Sequence, residues 1–267
     1  MPFITAKDGA ELYWHTWGEG APVLFLNSLG CGSRMWDYQM AALADAGFRC
    51  VGFDRRGHGR SDQPDCGYNF DTFADDVAGL VEELDLSRLT LIAHSIAGGE
   101  AMRYLTRHGG KRVARVVLIA PTTPMLLKND NPDGAPKESF EALWALWRRD
   151  YPKWIADNVA PFFIPETSPA MMRWGANLLQ TSLPIVLACT QAMVKADFRV
   201  EMRRIDVPTL IIHGDRDRSA PIELTGKPSA ELIPGCRLAV YEGAPHGLMF
   251  THMDRLHADI LQFMRET

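Results

Sequence analysis

The sequence predicts an α/β fold, a mostly parallel twisted sheet flanked by helices, with a helical insertion above it. Three observations carry that reading. Short apolar runs alternate with amphipathic helical patterns, as a chain of βαβ units requires. Several runs end in loops of glycine and small polar residues, and open α/β sheets bind ligands at such strand ends. At 267 residues the chain also has enough core to need no disulfide or metal staple. Area scaling gives about 11,600 Å² exposed after folding.

The first apolar run is Val23-Leu24-Phe25-Leu26, led in by Ala21-Pro22 and followed by the loop Asn27-Ser28-Leu29-Gly30-Cys31-Gly32. Arg49 to Phe53 is the second strand, closed by Asp54-Arg55-Arg56-Gly57-His58-Gly59. Phe73, Val77, Leu80, Val81 and Leu84 share one helical face, with Asp75, Asp76, Glu82 and Glu83 elsewhere on the wheel. Leu89 to Ala93 is a third strand. A helix follows from Ile96 to about His108, stopped by Gly109-Gly110. Val113 to Ile119 is a fourth strand, broken by Pro121. Val207 to His213 and Cys236 to Tyr241 supply two more, and Met249 to Met264 reads as a last helix.

Residues 122–195 read differently. They hold no clear strand and carry Trp144, Trp147, Trp154 and Trp174, with Phe140, Phe162, Phe163 and Met125 among them. The expected organisation is a core of 1–121 and 196–267 with a helical cap of 122–195. The plain expectation for the cap aromatics is a core of their own. The sharper one is an apolar pocket wall.

Charge excludes several classes. Lys and Arg number 28 against 33 Asp and Glu, a net charge of −5, with both signs dispersed. No basic tract points to nucleic acid or an anionic membrane. No apolar run is long enough to span a bilayer. The N-terminus lacks the basic-then-apolar pattern of a signal peptide. The scattered cysteines 31, 50, 66, 189 and 236 form no metal-ligand spacing, and a reducing cytoplasm is the expected location.

The chemistry centres on Ala93-His94-Ser95-Ile96-Ala97-Gly98-Gly99, where a strand runs straight into a helix with Ser95 at the corner. Such a corner strains the serine backbone and lifts its Oγ clear of the sheet. Only small residues fit two positions either side, and here both are alanine. The plainer reading is a serine that caps the next helix. Two later loops favour the catalytic one. A serine nucleophile needs a base, and the base an orienting acid, in the chain order serine, acid, histidine on this architecture. Asp215 and Asp217 follow one strand, and His246 follows the next. Spacing alone leaves both aspartates open as the acid. Oxyanion donors are expected from the N–H of Ile96, at a helix start, and of Leu29 in the small-residue loop. His94, His213 and His58 are given no part in this reading. His94 adjoins Ser95 at a turn where side chains diverge, and His58 reads as a surface residue.

The chain resembles an α/β-hydrolase of the cofactor-free haloperoxidase and aryl-esterase group, the serine perhydrolase-type enzymes. The segments DRRGHGRSDQP at 54–64, GGEAMRYLTRHG at 98–109, VARVVLI at 113–119, MLLKNDNPDG at 125–134, IDVPTLIIHGDRD at 205–217 and GAPHGL at 243–248 carry the likeness in order. It implies the α/β-hydrolase fold, Ser95 as nucleophile, His246 as base and Asp217, over Asp215, as acid. It also implies Leu29 and Ile96 as oxyanion donors, self-association into a homo-oligomer, and no metal or organic cofactor. Three stretches depart from the group. Asn27-Ser28-Leu29 replaces His-Gly-aromatic and is similar to 3-oxoadipate enol-lactone hydrolases. Gly30 stands where perhydrolytic members often have proline. AHSIAG replaces F-S-x-G-G-G, with His94 in the place of an apolar residue.

The expected function is a serine hydrolase of small to medium carboxylic esters, working through an acyl-enzyme, with perhydrolysis as a side activity. Met125 and Phe162 are the expected pocket wall. The rivals are a lactonase or C–C bond hydrolase of a degradation pathway, a cofactor-free oxygenase-like activity, and a ligand receptor with slow or no turnover. The expected partner is a small ester or lactone, with neither nucleic acid nor membrane. Dehalogenase and epoxide hydrolase chemistry needs an aspartate at the elbow, where this chain has Ser95.

Overall fold

The structure, a computed structural model, describes residues 2–267. Among them, eight strands form one sheet in the order β1-β2-β4-β3-β5-β6-β7-β8. The strands are β1 (Phe3–Thr5), β2 (Glu11–Trp17), β3 (Ala21–Leu26), β4 (Phe48–Phe53), β5 (Leu89–His94), β6 (Val113–Ile119), β7 (Thr209–Gly214) and β8 (Arg237–Tyr241). From β4 to β8 all neighbours are parallel, while β1 and β2 pair antiparallel at one edge. Helices cover both faces of the parallel strands, so β5 and β7 are buried along their whole length. That is why they read as unbroken apolar runs.

The helices follow the strands. The first are α1 (Asp37–Asp45), α2 (Phe70–Glu83) and α3 (Ala97–His108). Then come α4 (Lys137–Asn158), α5 (Pro169–Asn177), α6 (Leu183–Lys195) and α7 (Arg199–Met202). The last are α8 (Gly226–Leu232), α9 (Leu248–Thr251) and α10 (Met253–Glu266). The side chain of Asn69 caps α2 by accepting the Thr72 N–H at 3.0 Å. The expected single helix from Met249 to Met264 is two, because His252 leaves the helical region (φ −128°, ψ 39°) between α9 and α10.

Two hydrophobic cores sit on opposite faces of the sheet. One packs α2 and α3 against it through Phe73, Val77, Leu80 and Met102. The other packs α1 and α10 through Trp36, Leu43, Ile260 and Phe263. A third cluster joins α4 to α6 through Trp144, Trp147, Val186 and Val194, with Leu29 against its edge. Trp147 and Trp154 meet edge to face at 5.0 Å. These aromatics of α4 therefore form a core with α6. Trp174 instead packs on Tyr38 and Phe250, each with ring centroids 5.5 Å away. The helix α4 bends at Asp150 (φ −161°, ψ 80°), two residues before Pro152.

The chain exposes 11973 Å², close to the scaling value for a single well-packed chain of this length. The loops after β3, β5, β7 and β8 leave the sheet at its C-terminal end. They carry Asn27–Gly32, Ser95, Asp215–Pro221 and Glu242–Gly247.

Candidate active site

Ser95 joins β5 to α3 with φ +60°, a left-handed conformation that a non-glycine residue adopts only when its surroundings impose it. The surroundings are specific. Its N–H donates to Ile119 O at 3.0 Å, and its own carbonyl accepts the N–H groups of Gly98 and Thr122 at 3.0 and 3.2 Å. Ala93 and Ala97 are fully buried on either side. A Cβ on Gly98 would lie 2.9 Å from Pro121 Cβ, and one on Gly99 2.6 Å from the Phe198 ring. The two glycines thus let the start of α3 sit against the end of β6 and against Phe198.

His246 and Asp217 meet. His246 Nδ1 lies 2.6 Å from Asp217 Oδ2, and both side chains are buried. A carboxylate facing Nδ1 favours a proton on that nitrogen and fixes the orientation of the ring. Asp217 Oδ1 accepts the N–H groups of Ser219 and Ala220, each at 2.8 Å. Burial pushes the Asp217 carboxyl up, but the charge of His246 and hydrogen bonds from His213, His246 and Ala220 outweigh it. They hold the carboxyl well below the usual carboxylate range. Asp215 is exposed and accepts the Gly243 N–H at 2.7 Å, so it braces the histidine loop rather than the histidine. No hydrogen bond joins Ser95 Oγ to His246 here. Such contacts commonly form only when substrate is bound.

Two histidines outside the sequence reading belong to this cluster. The His94 ring packs on that of His246, with centroids 4.6 Å apart, and His94 Nε2 donates to the main-chain oxygen of His246 at 3.1 Å. His94 does not diverge from the site but packs on and bonds to His246. Burial and the neighbouring His246 charge hold the His94 imidazole well below its ordinary range, so it stays neutral. His213 Nε2 lies 2.8 Å from Ala220 O and 3.2 Å from Asp217 Oδ2. The only sequence signal for either was its place beside a catalytic candidate, at the end of β5 and of β7. His58 also differs from its surface expectation. It is buried, with Nδ1 3.0 Å from Arg56 O.

The loop after β3 is pinned at Asn27, which is buried. Its Nδ2 donates to Phe53 O at 2.7 Å, and its Oδ1 accepts the Trp36 Nε1–H at 3.1 Å. Farther along, Gly30 O accepts from Thr181 Oγ1 at 3.1 Å, and Cys31 bridges to Leu179. The N–H groups of Leu29 and Ile96 make no hydrogen bond within the chain among the described residues. Burial pushes the Cys31 thiol up to about 12, so it is no rival nucleophile at neutral pH.

Of the expected wall residues, Phe162 stands edge-on to His246, with centroids 5.2 Å apart at 88°. Met125 is buried where the chain leaves the sheet, its backbone bridged to Asp197 and its carbonyl bonded by Asn131 Nδ2. Beside Asp217 an open groove of about 520 Å³ is lined by Pro161, Phe163, Pro165, Arg216 and Pro245. Among the described residues no group of three or more His, Cys, Asp or Glu side chains is arranged to hold a metal ion. No helix there is long and apolar enough to cross a membrane.

A sheet of this order with a serine at the β5–α3 corner can be compared with known proteins. The family model for the alpha/beta hydrolase fold matches residues 21–173, more than half of the chain. The chain belongs to that family. The hydrolase is 38% identical over the full length of both chains to a non-heme chloroperoxidase of Kitasatospora aureofaciens. It is 36% identical to a bifunctional esterase/perhydrolase of Acinetobacter calcoaceticus, covering 99% of this chain and 100% of the relative. The solved esterase of Exiguobacterium antarcticum superposes with a TM-score of 0.95 at 30% identity, covering 98% of each chain. The hydrolase therefore stands among non-heme haloperoxidases and esterase/perhydrolase relatives.

Proposed function

We propose that this hydrolase cleaves a small to medium carboxylic ester through an acyl-enzyme. Ser95 attacks the carbonyl, and His246 takes the serine proton and passes it to the leaving alkoxide. Asp217 holds the imidazole in the required tautomer and balances its charge. The N–H groups of Leu29 and Ile96 receive the oxyanion, and each such donor is worth roughly 2.7–4 kcal/mol of barrier. Water then releases the acid. The observation that carries the reading is the buried 2.6 Å pair of His246 and Asp217, at the sheet end that also holds the positive-φ serine.

Residues 122–195 act as the cap over a core of 1–121 and 196–267. Support comes from Leu29, which packs against the α4–α6 cluster, and from the contacts of Leu179 and Thr181 with the 30–31 turn. Phe162 and Met125 line the substrate side. Hydrogen peroxide replaces water as a side reaction, giving a peracid. Gly30 has φ +78°, a conformation closed to proline, so the loop keeps a shape that a proline there forbids.

The test is labelling by a fluorophosphonate and hydrolysis of a short aryl ester. Wild-type protein takes one label on Ser95 and turns the ester over, and Ser95→Ala does neither. Full-rate hydrolysis by Ser95→Ala overturns the mechanism. The Asn27-Ser28-Leu29 loop supports a second reading, lactone hydrolysis. A higher kcat/KM on enol-lactones than on aryl acetates would select it.

A further inference from the structure

Arg55 is a charged side chain in an unexpected place. It is 2% exposed, and its partner Glu100 is 1% exposed. Its Nε and Nη2 donate to Glu100 Oε2 at 2.8 and 2.7 Å, and Nη2 also donates to the main-chain oxygen of Asn27 at 2.7 Å. The Phe73 ring lies 5.4 Å from the guanidinium carbon. A buried ion pair is weak evidence of stabilisation, because desolvation offsets much of the attraction. The pair therefore calls for a cause other than stability.

The three partners suggest one. Glu100 lies in the first turn of α3, four residues after Ile96. Asn27 lies two residues before Leu29. One planar guanidinium thus spans the helix that offers one oxyanion N–H and the loop that offers the other. The loop end is held further by the two side-chain bonds of Asn27 and by Ser28 N–H, 3.2 Å from Met35 Sδ. The helix end is held by the bonds of the Ser95 backbone to Ile119, Gly98 and Thr122. Between these anchored ends, the bonds of Arg55 are a direct polar tie.

We propose that Arg55 is a positioning residue that fixes the separation of the Leu29 and Ile96 N–H groups, so that both reach one oxygen of the tetrahedral intermediate. It touches no reacting atom and acts through Asn27 and Glu100. A lysine cannot reproduce it, because a single ammonium lacks the planar fork. The inference rests on the serine-hydrolase reading of the same site.

The test compares wild type, Arg55→Lys and the double variant Arg55→Met with Glu100→Leu. The double variant replaces the ion pair by apolar side chains but leaves Asn27 O without its donor. Fluorophosphonate titration counts active sites first, and a wild type that takes no label overturns the serine reading and this inference with it. Per labelled site, the double variant loses roughly tenfold or more in kcat while KM stays within about twofold. Affinity for an aryl boronic acid, a tetrahedral analogue, falls by the same factor. A lowered Tm with kcat per site and boronate affinity unchanged means a merely structural pair and overturns the proposal. If the double variant does not fold, Arg55→Lys is read by the same split between kcat, KM and boronate affinity.

Discussion

His94 Nε2 donates to the main-chain oxygen of His246 across 152 residues of sequence, while the two rings pack 4.6 Å apart. The residue next to the proposed nucleophile therefore holds the backbone of the proposed base. Replacing His94 with Phe keeps a ring and removes the donor. That variant should lose between about tenfold and a hundredfold in kcat/KM on an aryl ester, the scale of a small misplacement of a reacting group. His94→Gln keeps a donor and should recover part of the loss. Equal rates for wild type and His94→Phe would show that the bond does not position His246.

The two aspartates of the loop after β7 have different partners. Asp217 meets His246, and Asp215 meets the Gly243 N–H. Asp217→Asn should lower kcat by about 10⁴-fold, as expected when the histidine is left in the wrong tautomer. Asp215→Asn keeps an acceptor for Gly243 and should stay within about threefold of wild type, since it acts only on loop geometry. Steady-state kinetics on one substrate separates the two, and equal losses would undo the assignment of the acid.

His58 sets an acid limit on stability. Burial, helped by the charge of Arg55, holds its imidazole down at about 3 from an ordinary 6.5. Between those values the unfolded chain carries a proton on His58 that the folded chain does not. Stability therefore falls as pH drops through that window. His94 acts with the same sign, whereas Asp76 and Glu100, whose carboxyls burial pushes up, act with the opposite one. His58→Gln should flatten the slope of unfolding free energy against pH by one proton over this window. Urea unfolding at a series of acid pH values measures that slope, and an unchanged slope rejects the assignment.

Gly99 faces the rings of Phe198 and Phe70, which a Cβ would approach to 2.6 and 2.8 Å. Gly99→Val should cost about 1–3 kcal/mol by overpacking, and thermal unfolding checks it. The same change pushes α3 from its neighbours, so activity should fall with stability. A variant with wild-type Tm would show that the rings yield freely.

The parallel strands were legible because burial on both faces leaves an apolar run in the sequence. The antiparallel edge was not. β2 reads ELYWHTW, half-exposed and mixed in character, and β1 is only three residues long. The corner at Ser95 and the loop holding His246 were legible from small-residue chemistry and chain order. The choice between Asp215 and Asp217 needed the resemblance or the fold, because a spacing of two residues carries no geometry. His94, His213 and the Arg55–Glu100 pair lay beyond the sequence reading for one reason. Their roles come from partners brought close by the sheet, and Arg55 and Glu100 are of types usually found at the surface.

The proposed base sits on the loop after β8, the outermost parallel strand and the last to join. A chain still leaving the ribosome can pair β3 with β4 and β5, and β5 with β6, and set Ser95 at its corner, yet it lacks the proposed acid and base. On the proposed mechanism the nascent protein gains its base only once synthesis has passed residue 246, and a chain clipped before β8 would keep the serine corner and lose the histidine that serves it.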